Sequence, residues 1–165
     1  MPKTTASGKP KQSELPSTLR NSGGKAQRTF TKAYDAAIDQ YGDEERAHQV
    51  AYAALKHTHE KVGDKWKKKP KGRKGPSDAQ AAGGRGTKRP TAGGVDANAS
   101  KQHLYDLARQ LKVPGRSSMS KRELVAAVQK ANDRRTASSR RARAEEVGGT
   151  STPRKKGSKK ESPQA

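Results

Sequence analysis

The apolar residues of this chain fall into two short clusters at helical spacing, and the stretch between them, residues 70–99, has no apolar period. The earlier cluster begins in Lys25–Tyr41, where Ala26, Phe30, Ala33, Tyr34, Ala37, Ile38 and Tyr41 recur in steps of three and four. That stripe predicts a helix with one buried face. Gly42 stands where a helix-terminating glycine belongs, and Asp43, Glu44 and Glu45 suit the positive end of a second helix. The second stripe runs through Ala47, Val50, Ala51, Ala54, Leu55, Thr58 and Val62, with Gly63 expected to end it and Trp66 to close the core. Leu15-Pro16-Ser17-Thr18-Leu19 predicts a short turn laid over this helical pair.

The later cluster carries the clearer local signals. Ser100 is an N-cap, and Leu104, Leu107, Ala108 and Leu111 follow at i, i+3, i+4 and i+7. Val113-Pro114-Gly115 breaks the helix. Ser120 with Glu123 forms a capping box, flanked by Met119 and Leu124 as a hydrophobic staple. Leu124, Val125, Ala127, Val128 and Ala131 form the next stripe. Between the clusters, residues 70–99 hold seven Gly and three Pro, which reads as a flexible basic linker.

Composition limits how much can fold. Of 165 residues only 28% are hydrophobic, and the formal net charge is +21. Globular chains run at roughly 45–50% apolar, so one large core is excluded. The expectation is an all-α chain of two small helical modules. Residues 1–12 are a disordered basic tail and 13–69 the first module. Residues 70–99 are the disordered linker, 100–135 a helix–turn–helix module, and 136–165 a mostly disordered basic tail, with helix fraying on toward Glu146. The absence of Cys excludes disulfides, thiolate zinc sites and a Cys nucleophile. No apolar run approaches the ~18 residues of a membrane span, so no integral membrane segment is expected. The N-terminal residues lack the apolar stretch of a secretory signal, and a cytoplasmic, nucleoid-associated location is expected.

The charge is unevenly placed. Residues 13–69 carry 11 basic and 8 acidic residues, a net +3, whereas residues 100–165 carry 17 and 6, a net +11. That excess points to a polyanion, DNA or RNA, contacted through its phosphates. The predicted contact surface is the second turn, where Arg116, Ser117, Ser118, Ser120, Lys121 and Arg122 gather at a helix start and Arg109 and Lys112 approach from the preceding helix. The bland alternative is that Ser120 only caps and the cations are solvated. Thr152-Pro153-Arg154-Lys155, the near AT-hook Pro70–Pro76 and Gly84-Arg85-Gly86 add sequence-independent charge. His57 and His59 point to different sides of a helix and H-E-x-x-H is absent, so no metal or other cofactor is expected. The aromatic residues follow the helical stripe and read as core. No constellation of an enzyme is present.

Two resemblances follow from these residues. The run Glu14-Leu15-Pro16, Ala26-Gln27-x-x-Phe30, Ala33-Tyr34-x-x-Ala37, Gln40-Tyr41, Arg46-Ala47-His48-x-Val50-Ala51-Tyr52, Ala54-Leu55-Lys56-His57 and Gly63-Asp64-x-Trp66 resembles the ChaB family of cation transport regulators. Ser22-Gly23-Gly24 stands where that family often has a second Leu-Pro. The resemblance implies a regulatory or protein-interaction module, with a calcium/proton antiporter as an alternative partner. Leu104-x-x-x-Ala108-Arg109-x-Leu111-x-Val113-x-Gly115-Arg116-Ser117-x-Met119-Ser120-Lys121-x-Glu123-Leu124-Val125-x-Ala127-Val128 resembles the Rho termination factor N-terminal domain, which is similar in shape to SAP modules. It implies a nucleic-acid-associated helical module without the catalytic parts of that factor.

Overall fold

In the computed structural model, residues 2–84 and 87–148 are described. Among them are six α-helices and one two-stranded sheet: α1 (Ser17–Arg20), α2 (Gly24–Tyr41), α3 (Glu44–Thr58), β1 (His59–Val62), β2 (Lys65–Lys68), α4 (Ala79–Ala82), α5 (Lys101–Gln110) and α6 (Lys121–Gly148).

The helical hairpin forms as its stripe predicts. Ala26, Phe30, Tyr34 and Ala37 of α2 are buried against Ala47, Ala51 and Leu55 of α3. Gly42 takes the left-handed conformation, φ 65°, and its N–H donates to the Ile38 carbonyl at 2.8 Å. Asp43 then caps α3, accepting from the N–H groups of Glu45 and Arg46. Leu15 and Leu19 close one side of this core, and the Phe30 and Tyr52 rings meet edge to face at 4.9 Å.

The second helix does not run on to Val62. It stops at Thr58, and the chain turns into the antiparallel hairpin β1–β2, register His59↔Lys68 to Val62↔Lys65. Gly63 and Asp64 make the two-residue turn, with Gly63 at φ 69°. The extended backbone lets the hairpin serve two cores. Trp66 fills the first, and Val62 belongs to the second, among Leu104, Leu107, Leu124 and Val128.

Residues 70–99 are not a bare linker. Ser77, Val95 and Ala99 are fully buried, and Asp78 and Asp96 nearly so. Polar anchors replace apolar periodicity here. The Asp78 carboxylate accepts from the N–H of Ala81 and Ala92, the Thr91 hydroxyl and the Lys56 ammonium at 3.0 Å. Asp96 lies 3.5 Å from both Lys69 and Arg73. The first residues likewise fold back: the backbone N–H groups of Lys3 and Thr4 and the Thr4 hydroxyl donate to Asp35.

α6 runs unbroken through residues 136–148, where a mostly disordered tail with helix fraying toward Glu146 is expected. Its buried positions, Leu124, Val128, Asn132 and Thr136, advance in steps of four and change from apolar to polar. The apolar half packs on α5. The polar half crosses the β-turn, where Asn132 accepts from the Gly63 N–H at 2.7 Å and donates to the Lys61 carbonyl at 2.9 Å. Ser139 donates to Asp64, and Arg140 to the Ser17 hydroxyl. The expected tail from residue 149 on, including Thr152–Lys155, and the Gly84-Arg85-Gly86 fragment at its Arg85 and Gly86, lie outside the described residues.

Candidate nucleic-acid interface

Local chemistry sets the turn between α5 and α6. Ser100 caps α5, accepting from the His103 N–H at 3.2 Å. The helix ends at Gln110, after which Lys112 sits in the left-handed region at φ 56° and Gly115 at φ 69°. A 3₁₀ turn over Arg116–Ser118 brings the chain to Ser120.

The capping box forms reciprocally. The Glu123 N–H donates to the Ser120 hydroxyl at 3.3 Å, and the Ser120 N–H donates to the Glu123 carboxylate at 2.6 Å. That backbone hydrogen bond holds the Glu123 carboxyl below the ordinary glutamate range. Two N–H groups at the helix start are thus engaged by the chain's own side chains, one of them by an anion. A phosphate approaching α6 meets the side chains of Lys121 and Arg122 beside a carboxylate, so the helix start is a weaker anion site than its sequence implies.

The predicted contact residues divide into two kinds. Arg109, Lys112, Ser117, Ser118, Ser120, Lys121 and Arg122 are all exposed on one end of the α5–α6 pair. Arg116 is different. Its guanidinium donates to the Val113 carbonyl at 3.0 Å and lies 5.8 Å from the Tyr105 ring centroid, so it clips the turn onto α5.

Beyond Arg122, sequence reasoning does not single out the outer face of α6. Arg122, Lys130, Arg134 and Arg141 are exposed and lie opposite its buried row, forming a basic ridge. At 1.5 Å per residue it is about 29 Å long, close to a turn of duplex. The steps of four and seven from Lys130 to Arg134 and Arg141 were the available signal.

Among the described residues, no group of three or more His, Cys, Asp or Glu side chains is placed to hold a metal. His59 is buried with Nδ1 2.8 Å from the Thr58 hydroxyl, and burial lowers its pKa. His48 lies edge-on to the Tyr34 ring at 4.8 Å. Among the described residues, no helix is long and apolar enough to cross a membrane.

Residues 15–69 match the ChaB family model. The matched segment takes in α1, α2, α3 and the β-hairpin, about a third of the chain. Comparison with curated proteins and with solved structures returned no match. The resemblance drawn for residues 100–135 has no counterpart in these findings.

Proposed function

We propose that this chain is a non-catalytic nucleic-acid-binding protein that grips the phosphate backbone of DNA or RNA, mostly without base readout. What supports the reading is the disposition of charge. Several of the acids are turned inward: Asp78 onto Lys56, Asp96 onto Lys69 and Arg73, and Glu60 onto His103 at 2.9 Å. The outer face of α6 and the adjoining turn then present Arg109, Lys112, Lys121, Arg122, Lys130, Arg134 and Arg141 to solvent. Cations spread along a helix can follow a phosphate backbone, and counterion release supplies the affinity. On this reading the module at 100–135 acts as its Rho-N/SAP-like pattern implies, and the protein sits on the nucleoid.

The test is the salt dependence of duplex binding. The parent should give a straight line of log affinity against log salt. Replacing Arg122, Lys130, Arg134 and Arg141 together by Gln should make the slope shallower by about four contacts' worth, ~0.9 each. The loss should be similar for unrelated sequences. An unchanged slope and affinity would refute the interface.

A second reading rests on the match of residues 15–69 to ChaB. On it the chain regulates a cation antiporter, with the basic surface held against anionic lipid or an acidic protein face. Binding to anionic vesicles together with no binding to nucleic acid would favour it.

A further inference from the structure

α3, the β-hairpin, the 91–94 loop and α6 surround a cavity of about 400 Å³. That is within the usual size of small-molecule sites. One wall is aromatic: the Tyr52 and Trp66 rings lie 6.1 Å apart, inclined at 34°. Gly94 supports this wall from the loop. Its carbonyl accepts from the Lys61 N–H at 2.9 Å, and a Cβ at this residue would come within 2.6 Å of the Trp66 ring.

Three cations and one acid line the cavity: Lys56, Lys61, Arg140 and Asp133. Lys56 is already matched, since Asp78, Gln80 and Thr91 take its three donor positions at 2.8–3.0 Å. Lys61 is not. Its side chain is 12% exposed, and among the described residues its one ion partner is Asp133, 3.8 Å away and 66% exposed. Desolvation, helped by Arg140, lowers the Lys61 pKa, though Asp133 and Asp64 oppose the shift. Lys61 and Arg140 line the same space, and an anion held there would offset their like charge. Among the lining residues, with Lys56 matched by Asp78, Lys61 and Arg140 against Asp133 leave one positive charge, which suits a monoanion.

We propose that this cavity binds a small aromatic monocarboxylate, its ring against Tyr52 and Trp66 and its carboxylate between the Lys61 ammonium and the Arg140 guanidinium. The proposal is independent of the nucleic-acid reading, which uses the opposite face of α6.

Trp66 is the only tryptophan of the chain, so a ¹⁵N-labelled sample gives one indole N–H signal, from the wall of the site. Titration with 2-naphthoate should shift that signal saturably. The neutral isostere 2-naphthalenemethanol should bind about tenfold more weakly or worse, because it forgoes charge-assisted hydrogen bonds. Lys61→Met should weaken naphthoate by about tenfold and leave the alcohol unchanged. Arg140→Gln, at an exposed residue, should do the same and keeps the test valid if Lys61→Met disturbs the hairpin. Four results would each overturn the proposal. They are equal binding of naphthoate and alcohol, no saturable shift with naphthoate up to its solubility, tighter binding of 2-naphthyl phosphate than of naphthoate, and a shift of the same signal by a single-stranded oligonucleotide without competition from naphthoate.

Discussion

Replacing Asn132 by Ala tests how the two cores are joined. Asn132 is 1% exposed, and its amide completes the hydrogen bonding of the β-turn: Oδ1 takes the Gly63 N–H at 2.7 Å and Nδ2 reaches the Lys61 carbonyl at 2.9 Å. Alanine leaves both backbone groups without that partner. Each buried unsatisfied group costs about 1–3 kcal/mol, so the expected loss for the two is about 2–6 kcal/mol. That is a large share of the ~5–15 kcal/mol total of a small domain. The assay is urea denaturation followed by Trp66 fluorescence, which reports the first core, and by far-UV circular dichroism, which reports the helices. In the parent the two transitions should coincide, because α6 ties the second core to the hairpin. In Asn132→Ala both midpoints should fall and separate. Lys130→Gln, exposed on the same helix, is the control. A loss no larger than the ~0.5 kcal/mol of an ordinary surface substitution would refute the reasoning.

Leu55→Ala, at a fully buried site of the first core, should cost about 2–5 kcal/mol, read as a lowered Tm. Lys56→Met should cost about 3–5 kcal/mol by leaving Asp78 buried without its counter-ion, and adding Asp78→Asn should recover part of it in a double-mutant cycle. Burial alone would raise the Asp78 carboxyl, but the N–H donors of Ala81 and Ala92 and the Lys56 ammonium outweigh it and hold its pKa down. Its contribution is therefore present above the unfolded aspartate value of about 3.9 and is lost as pH falls through the lower folded value. The Tm should drop in that range, less so in Asp78→Asn. Burial lowers the pKa of both His48 and His59, so the unfolded chain takes up protons first as pH falls below about 6.5. Stability should decline between about pH 7 and pH 5, and a His48→Gln/His59→Gln variant with a Tm profile as steep as the parent's would refute this.

The parts of the fold that were legible are those where local chemistry and burial agree. The stripe Ala26–Ala37, the Gly42 stop, the Asp43 cap and the Ser120–Glu123 box all act within a few residues of one another. The hairpin is hard to read because Thr58 and Val62 keep the helical step and Gly63 serves equally as a helix stop, although Gly63-Asp64 is also a two-residue hairpin signal. The anchoring of the later half of α6 is illegible for a different reason. Apolar periodicity stops at Ala131, but the buried row continues as Asn132 and Thr136, which hydrogen-bond to a turn some seventy residues away.

The same distance effect governs residues 70–99 and, through them, the charge. A Gly-rich stretch with no apolar period reads as linker because its ordering groups are single carboxylates whose partners lie elsewhere, Lys56 for Asp78 and Lys69 for Asp96. Counting charges along the chain treats all of these as surface. Folding instead withdraws these acids together with their matched cations, so Lys56, Lys69, Asp78 and Asp96 drop out of the surface charge. The Arg116 guanidinium also has a structural contact that its sequence position does not announce, the Val113 carbonyl. The cavity cations were invisible for a related reason. Lys61 on β1 and Arg140 on α6 are separated by nearly half the chain, and only the crossing of α6 over the hairpin sets them on one wall-lined space.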